Sequence, residues 1–157
     1  MRDPAYYLQL AIDLAVDNAL RNRGGPYGAV IIKKGAIIAR GSNRVTADQD
    51  PPAHAEIMAI RQACRTLNDF QLHDCILYSN CEPCPMCLGA IYWARLDRVY
   101  YAASRRDAAQ AGFDDAYIYQ ELALPPHERH IPMRQLELAE AQLPFQTWLE
   151  QSARIPY

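Results

Sequence analysis

Four residues in this sequence have the types and spacing for metal-assisted hydrolysis: His54, Glu56, Cys84 and Cys87. A catalytic zinc ion takes three nitrogen, sulfur or oxygen ligands from the protein and keeps a fourth position open, whereas a structural site closes all four. Cys84 and Cys87 stand three residues apart at the expected start of a helix. That spacing puts both sulfurs on one face, where the helix dipole favours thiolates. His54 opens another expected helix 30 positions upstream and completes a trio if the two helix starts converge. Glu56 then stands two residues beyond a ligand, where a carboxylate can take a proton from an activated water and deliver protons to a ring nitrogen and a leaving amine. An isolated glutamate there reads as a solvated helix-terminal charge. The joint pattern His-Ala-Glu with Pro-Cys-Pro-Met-Cys favours the proton shuttle.

Cys81 supplies the rival reading. It precedes Cys84 by the same gap that separates Cys84 from Cys87, so His54 with three cysteines would make a closed, purely structural site. Because Cys81 lies before Pro83, in the strand end or turn, its sulfur need not project with the other two. Cys64 and Cys75 are most simply small buried hydrophobes.

The elements that must position these groups follow from hydrophobic pattern and breakers. Asp3 to Asn22 carries apolar residues at helical spacing and ends at Gly24-Gly25-Pro26. Residues 28–33 and 36–41 are β-rich runs around Lys34-Gly35, a hairpin signal. Pro51-Pro52 interrupts regular structure before the helix that starts at His54. A strand over 75–79, a turn at Pro83 and a helix from Cys84 to about Arg95 repeat the order of strand, site residues, helix. A strand over 98–103, short helical pieces over 107–119, a last strand over 132–138 and a helix over 145–154 complete the expectation. Strands alternating with helices predict a three-layer α/β/α domain with helices on both faces of a buried sheet.

Composition bounds the partners. The 157 residues, half of them apolar, suit one domain with one core. Sixteen basic and 18 acidic residues leave a net charge of −2, which argues for a small substrate rather than a nucleic-acid backbone. No apolar stretch has the length of a membrane span, Met1-Arg2-Asp3-Pro4 lacks a signal-peptide layout, and the odd, clustered cysteines fit a reducing compartment. A cytoplasmic protein without membrane partners is expected.

His54-Ala55-Glu56 and Pro83-Cys84-Pro85-Met86-Cys87 together resemble the zinc nucleobase deaminases, in which the glutamate is not a ligand. The resemblance implies the cytidine-deaminase-like fold, with a central mixed sheet of about five strands and a Zn²⁺ where two helix starts meet. Within that superfamily the chain is most similar to bacterial guanine deaminases. The segments that carry the likeness are 24–30, 50–56, 81–94, Ala111-Gly112-Phe113-Asp114-Asp115 and Pro144-Phe145-Gln146 to Tyr157. Tyr27 stands where those enzymes have phenylalanine, and Pro52 where they have threonine.

That likeness implies hydrolysis of guanine to xanthine and ammonia in purine catabolism or salvage, with Glu56 as the shuttle. The base would be held by Asn43, Tyr27, Ala55, Asp115, Trp93 and Tyr157. From the residues alone, Asn43 reads equally as a turn former, Asp115 as a capping or solvated residue, and Tyr92 and Trp93 as core-packing residues. The resemblance also implies a homodimer in which a C-terminal segment, about 144–157, is swapped between subunits. Related substrates are guanosine, cytosine, a triazine amine such as ammeline, and transfer-RNA adenosine. A non-catalytic zinc-stapled binding domain is the alternative of another class.

Overall fold

The computed structural model describes residues 2–157. The chain forms two compact units, Met1–Asp115 and Ala116–Tyr157. The first begins with α1 (Pro4–Leu20), where Pro4 occupies the first helical turn and Asp3 accepts a hydrogen bond from the Ala5 N–H. It continues with β1 (Gly28–Lys33), β2 (Ala36–Ser42), a single turn α2 (Val45–Asp48), α3 (Ala55–Leu67), β3 (Cys75–Cys81), α4 (Pro85–Trp93), β4 (Arg98–Ala103) and α5 (Arg105–Gln110). The second unit contains α6 (Ala116–Ala123), a 3₁₀ turn at Pro126–Glu128 and α7 (Leu143–Glu150).

The sheet order is β2-β1-β3-β4. β1 runs antiparallel to both β2 and β3, while β3 and β4 are parallel and joined through α4. Lys34 and Gly35 both take positive φ, 50° and 85°, as a two-residue hairpin requires when its twist matches the flanking strands. The mixed sheet has four strands, one fewer than expected from sequence. Residues 132–138 lie in irregular backbone, with Leu136 and Leu138 exposed. Apolar alternation specifies which face a strand would bury, but a strand also needs a partner ladder, and among the described residues this segment has none.

β1 reads as an unbroken apolar run because both of its faces are buried. Val30 and Ile32 pack with Tyr7 and Tyr78 on the α1 side. Ala29 and Ile31 pack with Ala39, Leu77 and the α3 residues Ala55, Ala59 and Ala63 on the other side, joined there by Ile91 and Ala94 at α4. α3 and α4 therefore share one face of the sheet, and their N-termini are brought together above it. The approach of α3 to β2 is very close: a Cβ on Gly41 would lie 2.1 Å from the Ala55 carbonyl oxygen. Only glycine permits that contact, which seats the first turn of α3 on the strand.

Candidate active site

His54 is the N-cap of α3 and Cys84 the N-cap of α4, both in extended backbone just before their helices. Cys87 lies within the first turn of α4, so two helix N-termini converge on one point. The Cys84 and Cys87 sulfurs each lie 3.5 Å from His54 Nδ1. All three ligand atoms fall within 4.8 Å of one another, and among the described residues this is the one such cluster of three or more. With Zn–S near 2.3 Å and Zn–N near 2.0–2.1 Å, tetrahedral geometry demands a sulfur-to-nitrogen distance of roughly 3.5 Å. The trio therefore fits zinc in both donor type and spacing.

The charges are arranged for the same purpose. Cys84 is pulled down to about 4, first by the hydrogen bond from Cys87 and then by the one with His54. It is a thiolate at neutral pH. Cys87 is pushed up, first by holding its proton toward Cys84 and then by burial. His54 is raised by its hydrogen bond with Cys84.

Cys81 stands apart from this cluster. Its buried thiol donates to the Ser104 carbonyl at 3.7 Å, and burial lifts it to about 11. Its sulfur is not among the ligand atoms that lie within 4.8 Å of one another, so the described residues bring together three ligands and not four.

Glu56 is buried at 4 % exposure in the first turn of α3. One carboxylate oxygen, Oε1, accepts from the Ser79 hydroxyl at 3.2 Å, and Oε2 accepts from the Cys87 thiol at 3.5 Å. Burial raises its pKa from the ordinary carboxylate value, the direction that favours a group acting as both acid and base.

Asn43 is buried, 5 % exposed, just after β2. Its Oδ1 accepts from the Gly25 N–H at 3.0 Å and the Val45 N–H at 3.2 Å, so the residue does shape a turn. Because both partners are donors, the amide orientation is settled, and the group left to meet a ligand is the Nδ2 donor. Tyr27 is bracketed by Asn80, which accepts from the Gly28 N–H and donates to the Pro26 carbonyl. The Tyr27 ring meets Phe113 edge-to-face at 5.3 Å and 85°. Its hydroxyl is driven well above its usual range, first by burial and then by the surrounding acidic groups, among them Glu56, Asp115 and Cys84. Asp115 is raised by burial first and by the Cys84 thiolate second, which places it in the electrostatic reach of the metal trio. Ala55 is fully buried between His54 and Glu56.

Two residues differ from the packing expectation. Tyr92 and Trp93 are 72 % and 64 % exposed, so neither belongs to the core. Ile91 takes the core position on α4 instead. Tyr157 belongs to the second unit and is likewise exposed in the single chain. Ser79 and Asn80 had no signal in the sequence, since a serine and an asparagine in a strand carry no motif. Phe113 fell within a segment that marked the family without being marked as a contact.

A four-stranded mixed sheet with a His-Cys-Cys trio and a buried glutamate at two helix starts defines a class of zinc-dependent hydrolytic deaminases. Residues 1–103 match the family model described as the cytidine and deoxycytidylate deaminase zinc-binding region, and the chain belongs to that family. It is 58 % identical over 142 residues to the guanine deaminase of Bacillus subtilis, covering 90 % of this chain and 91 % of that one. A solved X-ray structure of guanine deaminase from Bacillus subtilis superposes with a TM-score of 0.98 and 53 % identity over 99 % of both chains. A tRNA-specific adenosine deaminase of Aquifex aeolicus is 42 % identical over 98 residues, covering 62 % of this chain and 64 % of that one.

Proposed function

We propose that this protein hydrolyses guanine to xanthine and ammonia. The observation that carries the reaction type is the buried Glu56 carboxylate beside an open three-ligand metal trio. What supports guanine in particular is the extent of the likeness: it runs over 90 % of the chain for the guanine deaminase but 62 % for the adenosine deaminase. The net charge of −2 also favours a free base over transfer RNA.

His54, Cys84 and Cys87 would hold Zn²⁺, which supplies a Lewis acid able to lower the pKa of a water from 15.7 to roughly 7. Glu56 takes one proton from the attacking water and places it on a ring nitrogen, then takes the second from the hydroxyl left on the attacked carbon and passes it to the departing amine, as that carbon becomes a carbonyl. Water adds at the carbon bearing the exocyclic amine, and that carbon–nitrogen bond breaks to release ammonia. Asn43 orients the purine through its Nδ2 donor, Tyr27 stacks on the ring, Asp115 accepts from its N–H groups, and Ala55 and Trp93 line the base.

The reading extends to a cytoplasmic homodimer in which residues 144–157 exchange and Tyr157 closes the partner's site. Supporting this, Phe145, Leu149 and Ile155 are all more than 60 % exposed in the single chain, an apolar surface that association would cover. Zinc-loaded protein incubated with guanine is expected to form xanthine with equimolar ammonia. Absence of turnover, with conversion instead of guanosine, cytosine, ammeline or transfer-RNA adenosine, would move the assignment to that substrate.

A further inference from the structure

The Glu56 carboxylate has two oxygens in different settings, and the difference assigns them different work. Oε1 is met by Ser79, a fully buried serine in the middle of β3 whose backbone is paired on both sides, opposite Ala29 on β1 and Tyr101 on β4. A hydroxyl so placed has no water to turn to and no freedom to follow a moving partner. Oε2 is met by the Cys87 thiol. Cys87 is one of the metal trio, so Oε2 is the oxygen on the side of that trio, while Oε1 is the oxygen on the side of the sheet.

We propose that Ser79 is a positioning residue that pins Oε1 of Glu56 to the sheet, so that Oε2 alone is free to carry protons between water and substrate. A carboxylate on a flexible side chain is otherwise free to rotate, and proton transfer requires it within hydrogen-bond reach of the reacting atoms. The rigid strand holds the half of the group that does not react. The half that reacts lies on the side of the metal trio. Ser79 is outside the metal trio, and its hydroxyl acts through Glu56.

This inference rests on the deaminase reading above, and its test separates the two. Ser79→Ala is expected to lower kcat roughly ten- to hundredfold, as for loss of a buried hydrogen bond to a charged group, with KM changed less than about threefold and zinc content unchanged. Ser79→Thr, which keeps the hydroxyl, should restore most of kcat. In a Glu56→Gln background, Ser79→Ala should give less than about a threefold further loss. A crystal structure of the zinc-loaded Ser79→Ala protein should show Glu56 in more than one conformer, against a single conformer in the wild type. An unchanged kcat, an equal loss in the Glu56→Gln background, or a single undisturbed Glu56 conformer overturns the proposal. The conformer comparison judges Ser79 even if guanine is not the substrate. Should Ser79→Ala fail to fold, the wild-type zinc-loaded structure decides, because a Ser79 hydroxyl beyond hydrogen-bond distance of Oε1 overturns it equally.

Discussion

At the scale of single residues, the site divides its thiols by charge. Cys84 is a thiolate, Cys87 holds a proton until metal arrives, and Cys81 remains a thiol committed to a backbone carbonyl. Cys81→Ser should therefore retain stoichiometric zinc and most activity, as metal analysis and turnover would measure. Loss of the ion would restore the closed four-ligand site. Glu56→Ala should reduce kcat by about 10²–10⁴-fold, the usual contribution of a positioned proton-transfer group, while zinc stays bound. A mutant that lost its metal along with activity would mark Glu56 as a structural group rather than a shuttle.

At the scale of elements, the active site is a consequence of where two helices begin. Gly41 lets α3 sit directly on β2, and with the Ala55 carbonyl only 2.1 Å from a hypothetical Cβ, Gly41→Ala must push strand and helix apart. Overpacking of this kind destabilises by about 1–3 kcal/mol, so a lowered melting temperature is expected together with weaker zinc binding, because His54 caps the displaced helix. A competition titration with a chromogenic chelator would detect the second effect. α5 carries a capping box in which the Ser104 hydroxyl and N–H both donate to Asp107, holding that carboxyl below its ordinary value of 3.8. A depressed folded-state pKa contributes stability that is complete above the unfolded value and fades as pH falls below it. The melting-temperature gap between wild type and Asp107→Asn should accordingly be present at about pH 6 and close below about pH 3.8. A gap independent of pH would show that the ionised carboxylate is not the source.

At the scale of the whole molecule, the two units differ in how much they bury. The first contains the whole sheet, the core and the metal trio. The second has no buried residue, and its large apolar side chains remain largely exposed. Such a surface is expected to be covered by association, in keeping with the proposed exchange of residues 144–157. Deleting Tyr157 alone should depress turnover while leaving melting temperature and zinc content near wild type. Removing 144–157 should also reduce the sedimenting mass to that of one chain. Full activity in the Tyr157 deletion would exclude a terminal tyrosine from the site.

The metal trio and its glutamate were legible in the sequence because ligand chemistry demands particular residue types, and helix starts are marked by prolines and spacing. The strand–helix alternation that carries them was legible too, as was the Lys34-Gly35 hairpin, since backbone preference and apolar period are local properties. The irregular course of residues 132–138 was not, because strand pairing is decided by a partner that local sequence does not encode. Nor were the partners of Glu56 and of the backbone on either side of Tyr27: a serine and an asparagine in β3 look like any polar strand residues until the register turns Ser79 toward α3 and Asn80 toward Pro26 and Gly28. By itself the sequence named the residue types, a histidine and two cysteines at ligand spacing with a glutamate two positions from the histidine. Only the tertiary structure decided that Cys81 stays outside that trio and that Ser79 meets one oxygen of Glu56, because both depend on distances between segments far apart along the chain.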